Sequence, residues 1–233
     1  MDNPIRLLSA IALQGALETT VLPAFTRQTG RSVEAEWAPT TIIVDRVTGG
    51  AQPDAIIVTD GAVRDLHDKG IADSTTAARL CTAVLGVAIP EASTPPDISS
   101  LGGFCSALVK ARSVCFSRAG ASGIYFRNLI EELGIGQPIL EKATIIPSGF
   151  TAEKLITGEA DLAIQQISEL CVVKGVKIVG QFPAEVQQKT PFSAVSLRSC
   201  GNPQDARLLI SFLANAMARN AYGDAGLLTH DRA

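Results

Sequence analysis

Three apolar runs near the start of the chain, Ile5 to Ser9, Val33 to Trp37 and Asp54 to Thr59, each lead directly into a segment with helical spacing. Those segments are Ala12 to Thr29, Thr40 to Val47 and Asp60 to Gly70. Strand alternating with helix predicts a parallel sheet covered by helices on its faces. The punctuation agrees with this reading. Pro23 predicts a break in the first helix and Gly30 its stop, Thr40 and Asp60 are expected as caps, and Gly49-Gly50 closes the second helix.

A second series follows the first. Strands are expected at Thr82 to Ile89, Ser113 to Phe116, Thr144 to Ile146, Asp161 to Ile167 and Val176 to Val179. Helices are expected from Ser99 or Ser100 through Val109, from a Ser122 cap through Leu133, and over Thr151 to Thr157. Ser168-Glu169 reads as a cap with a first-turn acid. The chain then returns to an extended segment, Pro191 to Leu197, and a helix opened by Asn202-Pro203-Gln204-Asp205 that carries Leu208, Leu209, Phe212, Leu213 and Met217. This order predicts two α/β lobes: residues 1–80 with 195–233, and residues 81–194. Extended segments near 82–89 and 191–197 would join them, giving a hinge with a ligand cleft between the lobes.

Composition narrows the function. Apolar residues make up 46% and charged residues 18%, so a large core is available and disorder is not expected. The net charge of −3 lacks the cationic footprint that nucleic acid requires. No apolar stretch reaches the roughly 18 residues of a membrane span, so no membrane insertion is expected. Met1-Asp2-Asn3-Pro4 does not read as a leader, so the protein is either cytoplasmic or periplasmic with its signal removed. The five cysteines, Cys81, Cys105, Cys115, Cys171 and Cys200, have apolar neighbours and no CxxC pair, and read as core residues.

Four strand-to-helix junctions carry small hydroxyl, amide or Gly residues: Ser9-Ala10 with Ala12, Thr40-Thr41, Ala121-Ser122-Gly123, and Ser148-Gly149-Phe150-Thr151. A helix start offers unpaired N–H groups and the positive end of the macrodipole, and small side chains let an anion approach them. Arg118 precedes the third junction and adds a guanidinium suited to a carboxylate. Gln165 and Gln166 end an apolar strand and must point to opposite faces, so one can meet a ligand while the other needs a partner.

The order of these pieces resembles the type II periplasmic solute-binding proteins, in the branch near the molybdate-binding proteins. The matching stretches are Ser9 to Leu17, Phe25 to Gly30, Gly50 to Asp60, Ala119 to Tyr125 and Gly158 to Ile164. The resemblance implies a two-lobe fold, each lobe a mostly parallel sheet flanked by helices, and a small-anion ligand held at the junctions by Ser9, Ala10, Thr40, Thr41, Ser122, Gly123 and Ser148, to which this chain adds Arg118, Gln165 and Gln166. If the protein is exported, it also implies an ABC transporter permease as partner. Molybdate binders have Ser where this chain has Ala12 and Tyr near the position of Gln166, which points away from molybdate and toward an organic acid.

Aconitate isomerase is similar to the same branch, and an isomerase of an unsaturated tricarboxylic acid is the alternative on this fold. A third possibility is a ligand sensor or the effector domain of a regulator. Allylic proton transfer needs one positioned acid or base, for which Glu169, Lys154, Glu153 and Asp60 are candidates beside the junctions. His67 and His230 read as surface residues. No cluster has metal spacing, and neither a metal nor another cofactor is expected.

Overall fold

The computed structural model describes residues 3–229. The chain divides into two units, Met1–Ala83 with Thr190–Ala233, and Val84–Lys189. The strands are β1 (Ile5–Ala10), β2 (Val33–Ala38), β3 (Ala55–Thr59), β4 (Ala72–Pro90), β5 (Val114–Ser117), β6 (Thr144–Ile146), β7 (Leu162–Gln166), β8 (Val176–Gln181) and β9 (Lys189–Leu197). The α-helices are α1 (Gln14–Ala16), α2 (Leu22–Thr29), α3 (Thr40–Thr48), α4 (Asp60–Asp68), α5 (Leu101–Lys110), α6 (Ala121–Glu132), α7 (Gly136–Leu140), α8 (Glu153–Ile156), α9 (Ile167–Leu170), α10 (Pro203–Leu213) and α11 (Ala216–Asp224).

In the first unit the strand order is β2-β1-β3-β9-β4. β1 runs parallel to β2 and β3, with Ser9 opposite Trp37 on one side and Ile57 on the other. β9 returns antiparallel to β3, pairing Ala194 with Ile57 and Phe192 with Thr59, which is why residues 190–194 belong to this unit. Both sheet faces are covered, so alternate residues of one strand feed different cores. Leu7 and Ile57 pack with Phe25, Leu209, Phe212 and Tyr222 on one face. Leu8, Ile56 and Val58 pack with Ile43, Leu66 and Val195 on the other.

The second unit has the order β4-β7-β5-β6, with β8 also on β4. β5 is parallel to both β6 and β7, while β7 and β8 run antiparallel to β4. One face holds Val87, Phe104, Phe116, Phe126, Ile130 and Ile164. The smaller opposite core holds Ala88, Cys115, Leu155, Ala163 and Leu170.

Several sequence expectations change in detail. The first helix does not break at Pro23: Leu17–Val21 widens into a π turn just before it. A wider turn accommodates the ring and the missing N–H that would otherwise disrupt an α-helix. β4 begins at Ala72, well before the expected Thr82. Met217 belongs to α11, which Asn215 opens by accepting the Ala218 N–H at 2.8 Å. Thr40, Asp60, Ser122 and Ser168 are not caps but stand one or two residues inside their helices, after Pro39, Thr59, Gly120 and Gln166. In each case the residue before the helix keeps an extended backbone and is itself the cap. All five cysteines are free, and Cys171 is exposed rather than in the core.

Candidate functional site

Parallel strands place their carboxyl ends on one edge, where open α/β sheets bind ligands. In the second unit that edge joins the ends of β5, β6 and β7. Ser117 lies opposite Ile146, and the chain continues the pairing beyond the strands: the Arg118 N–H donates to Ile146 O at 2.8 Å and the Ala119 N–H to Pro147 O at 3.2 Å. The Arg118 side chain is exposed and makes no ion pair among the described residues. α6 then starts behind Gly120 without any capping side chain.

Two serines crowd the start of α6. A Cβ on Gly120 would lie 2.5 Å from Ser117 Oγ and 3.7 Å from Ser122 Oγ. Ser117 is 2% exposed, and its Oγ has no hydrogen-bond partner among the described residues. Gly123 presses against β5 so closely that a Cβ would lie 1.7 Å from Ser117 O. The small residues therefore let the helix start meet the end of β5 directly. They leave two hydroxyls and the first N–H groups at that point.

Gln165 resolves the pairing question raised by its sequence. Its Oε1 accepts the Thr151 N–H at 2.8 Å and the Thr151 Oγ1–H at 2.9 Å, while its Nε2 donates to Gly149 O at 2.7 Å. The amide thus holds the loop after β6. Ser148 in that loop is exposed, and Gly149 turns it with φ of 101°. Gln166 is 2% exposed.

Glu169 stands three residues after the Gln166 cap and is 8% exposed. Burial pushes its carboxyl up to about 8, against hydrogen bonds from the Gln166 backbone and the Gln165 side chain that favour ionisation. The reach back to the cap backbone is only the acid's half of a capping box, since the Gln166 side chain makes no return bond, and burial here disfavours the charged form. The neighbouring Ser168 Oγ is buried without a partner among the described residues.

In the first unit the corresponding edge carries Ser9-Ala10, Thr40-Thr41 and Asp60. Ser9 is fully buried, and its Oγ donates to Ala10 O at 3.2 Å. Ala12 is 3% exposed and belongs to the core. Thr40 is half-buried and Thr41 exposed at the first turn of α3. Asp60 accepts the Ser193 hydroxyl on Oδ1 at 2.7 Å and faces Arg79 Nε from Oδ2 at 3.8 Å.

Elsewhere in this unit a hollow of about 730 Å³ contains Arg6, Arg31, Asp54 and Asp205. Arg6 Nε lies 3.7 Å from Asp54 and Arg31 Nε 3.5 Å from Asp205, and Glu34 adds a third acid, so the hollow offers an anion no net attraction.

Among the four proton-transfer candidates, Glu153 is exposed, Lys154 pairs with Glu159 at 2.9 Å, and Asp60 is engaged by Ser193 and Arg79. Glu169 alone among them has its ionisation moved close to neutrality. His67 is half-buried in α4 rather than on the surface, and His230 lies outside the described residues. No group of His, Cys, Asp or Glu among the described residues is placed to hold a metal ion. Sequence reasoning passed over Ser117, Ser193 and Arg79. Ser117 ends its strand next to Arg118 and was within reach of a junction argument; Arg79 and Ser193 meet Asp60 only through the sheet.

An α/β chain with small hydroxyl residues and open helix starts at the carboxyl ends of its parallel strands is built in the manner of an anion-binding protein. Residues 5–228 match the bacterial extracellular solute-binding protein family, and the chain belongs to it. It is 30% identical to an aconitate isomerase of Pseudomonas sp. over 233 positions, covering 97% of this chain and 88% of that protein. It is 26% identical to the molybdate-binding protein ModA of Escherichia coli K12 over 206 positions, covering 86% of this chain and 80% of the relative. Among solved structures, the periplasmic molybdate-binding protein of Azotobacter vinelandii superposes with a TM-score of 0.81 at 19% identity, over 97% of this chain and 99% of that one.

Proposed function

We propose that the protein binds a small organic carboxylate at its strand-end junctions. The observation that carries this reading is the start of α6. Its N–H groups, the unpartnered Ser117 Oγ and the Ser122 Oγ lie at one strand end, and the exposed Arg118 follows Ser117 in the chain. Backbone N–H groups and hydroxyls suit any oxyanion, whereas a guanidinium adds the planar fork that matches a carboxylate. Thr40 and Thr41 are the proposed donors of the first unit, with Ser9 and Ala10 buried behind them at the end of β1. Gln165 serves by holding the loop of Ser148 and Gly149, with Gln166 beside it. The family supports an extracellular or periplasmic location, with delivery of the ligand to an ABC transporter permease. Among the described residues no helix is long and apolar enough to cross a membrane.

Calorimetric titration with citrate, trans-aconitate and molybdate tests the reading. A carboxylate that binds the wild type and weakens on Arg118→Gln and Ser122→Ala is expected. Binding of molybdate alone, indifferent to Arg118, would refute it.

One observation favours a second reading, isomerisation of an unsaturated tricarboxylic acid. Glu169 is a buried carboxyl beside the end of β7 whose ionisation lies near pH 8, suited to taking and returning an allylic proton. The Pseudomonas relative bears the name of such an isomerase. Ultraviolet absorbance of cis- or trans-aconitate incubated with the protein reads the interconversion directly. Turnover abolished by Glu169→Gln supports this reading, and no turnover by folded wild type excludes it for these substrates.

A further inference from the structure

We infer that anion binding at the carboxyl edge of the second unit is coupled to protonation of Glu169, so that the ligand is taken up together with a proton from solvent. This coupling rests on the anion-binding reading of that edge, and it holds for a carboxylate and an inorganic oxyanion alike.

The path is a chain of hydrogen bonds within one unit. β5 lies between β6 and β7 and ends at Ser117, whose buried Oγ has no partner among the described residues. The next two residues hold one side of the loop after β6, through Ile146 O and Pro147 O. Gln165, on β7, holds the other side through Thr151 and Gly149 O. The same Gln165 side chain also donates to the Glu169 carboxyl. Its Nε2 carries two N–H groups, so it can serve Gly149 O and Glu169 at once. One amide therefore separates the carboxyl from the turn that carries Ser148. Glu169 is 8% exposed, and the adjacent Ser168 Oγ is buried without a partner among the described residues.

The neighbouring charges leave Glu169 to itself. α9 packs on β7 and β8, and its Ile167 lies against Gly86 of β4. β7 and residues 84–90 of β4 carry no titratable side chain, and β8 brings only the exposed Lys177. Cys171 and Lys174, which follow α9, are exposed. In α8, Glu153 is exposed and Lys154 pairs with Glu159. Burial and the two donated bonds are what act on the carboxyl, which burial pushes up to about 8. An anion seated on the Ser148 turn is repelled by a Glu169 carboxylate buried this close, and a neutral acid removes the repulsion. By reciprocity, the bound anion favours the protonated acid. Below the range in which Glu169 titrates, binding moves no proton. Within and above it, binding draws a proton from solvent onto a Glu169 carboxylate oxygen.

The test is calorimetric titration with trans-aconitate and with molybdate, both fully ionised above neutrality, at pH 6.5 and 8.5. Each titration is run in two buffers that differ in ionisation enthalpy, with unliganded melting temperatures as the folding control. At pH 8.5 the heat of binding to wild type should change with the buffer in the sense of proton uptake, and at pH 6.5 it should not. Affinity should fall several-fold, up to about tenfold for one unit of coupling, between the two pH values. Glu169→Gln should show neither the uptake nor the fall. Wild-type heats at pH 8.5 that are independent of buffer would overturn the proposal alone, whether or not the variant folds. Uptake that persists in a folded Glu169→Gln protein would also overturn it. A wild type that binds neither anion would overturn the anion-binding reading and this proposal with it.

Discussion

The side chain of Gln165 and the backbone of Thr151 are joined at 2.8 Å across fourteen residues of sequence, with the Thr151 hydroxyl on the same oxygen at 2.9 Å. One amide at the end of β7 thereby sets the loop after β6. The loop that carries Ser148 is shaped from the neighbouring strand rather than by its own turn residues alone.

Replacing Gln165 by Ala leaves the buried Thr151 donors and Gly149 O without their partner. Unsatisfied buried groups cost about 1–3 kcal/mol each, so Gln165→Ala should lose roughly 3 kcal/mol or more in denaturant unfolding. Thr151→Val, which removes only the hydroxyl, should lose about 1 kcal/mol. Equal, small losses in both variants would show that the amide does not hold the loop.

Glu169 makes stability depend on pH with a definite sign. Its carboxyl ionises near 8 in the folded protein, against an ordinary value of 4.5, because burial disfavours the charge. Folding therefore takes up a proton between those values. The stability associated with the neutral acid is fully present below about pH 4.5 and is lost as the pH rises toward 8. At about 1.4 kcal/mol per unit the loss is at most about 5 kcal/mol. Denaturant midpoints of wild type and Glu169→Gln at pH 5.5 and 8.5 should diverge, with the variant gaining relative to wild type at the higher pH. Parallel pH dependence of the two proteins would refute the assignment.

Two glycines at one helix start should behave differently. A Cβ on Gly123 would lie 1.7 Å from a backbone oxygen of β5, which cannot move without separating α6 from its strand. Gly123→Ala should cost more than about 4 kcal/mol or prevent folding. A Cβ on Gly120 meets the Ser117 Oγ, which can rotate aside. Gly120→Ala should therefore fold, with a melting temperature near wild type, yet bind its anion more weakly. Melting curves and titrations of the two variants separate these outcomes.

Much of this architecture was legible in the residues. β6 matches its expected bounds, and β1 and β3 differ from theirs by one residue at an end, because each is a short apolar run punctuated by Gly, Pro or a polar residue. The first half of β4 was not, since Asp73, Ser74, Thr75 and Thr76 form a polar run without apolar alternation. Thr76 lies in β4 beside β9, where its Oγ1 accepts the Ser196 N–H at 3.0 Å, a partner 120 residues away. α7 was hidden behind Gly136 and Pro138 for the same local reason. At the candidate site, composition exposed the junctions but not the side-chain pairs. That Gln165 turns to Thr151, or that Asp60 gathers Ser193 and Arg79, depends on which strands the sheet makes neighbours.

The central claim is that this protein holds a small organic carboxylate, and a thermal-shift panel tests it most directly. Molybdate, tungstate, sulfate, phosphate, citrate, cis-aconitate and trans-aconitate would each be added to the protein at millimolar concentration. A ligand that binds only the folded state raises the melting temperature, by the equivalent of about 2.7 kcal/mol at a hundredfold excess over Kd. A clear rise with one or more of the carboxylates, exceeding any rise with the inorganic oxyanions, is the predicted result. A rise with molybdate or tungstate alone, or no rise with any anion, would contradict the account.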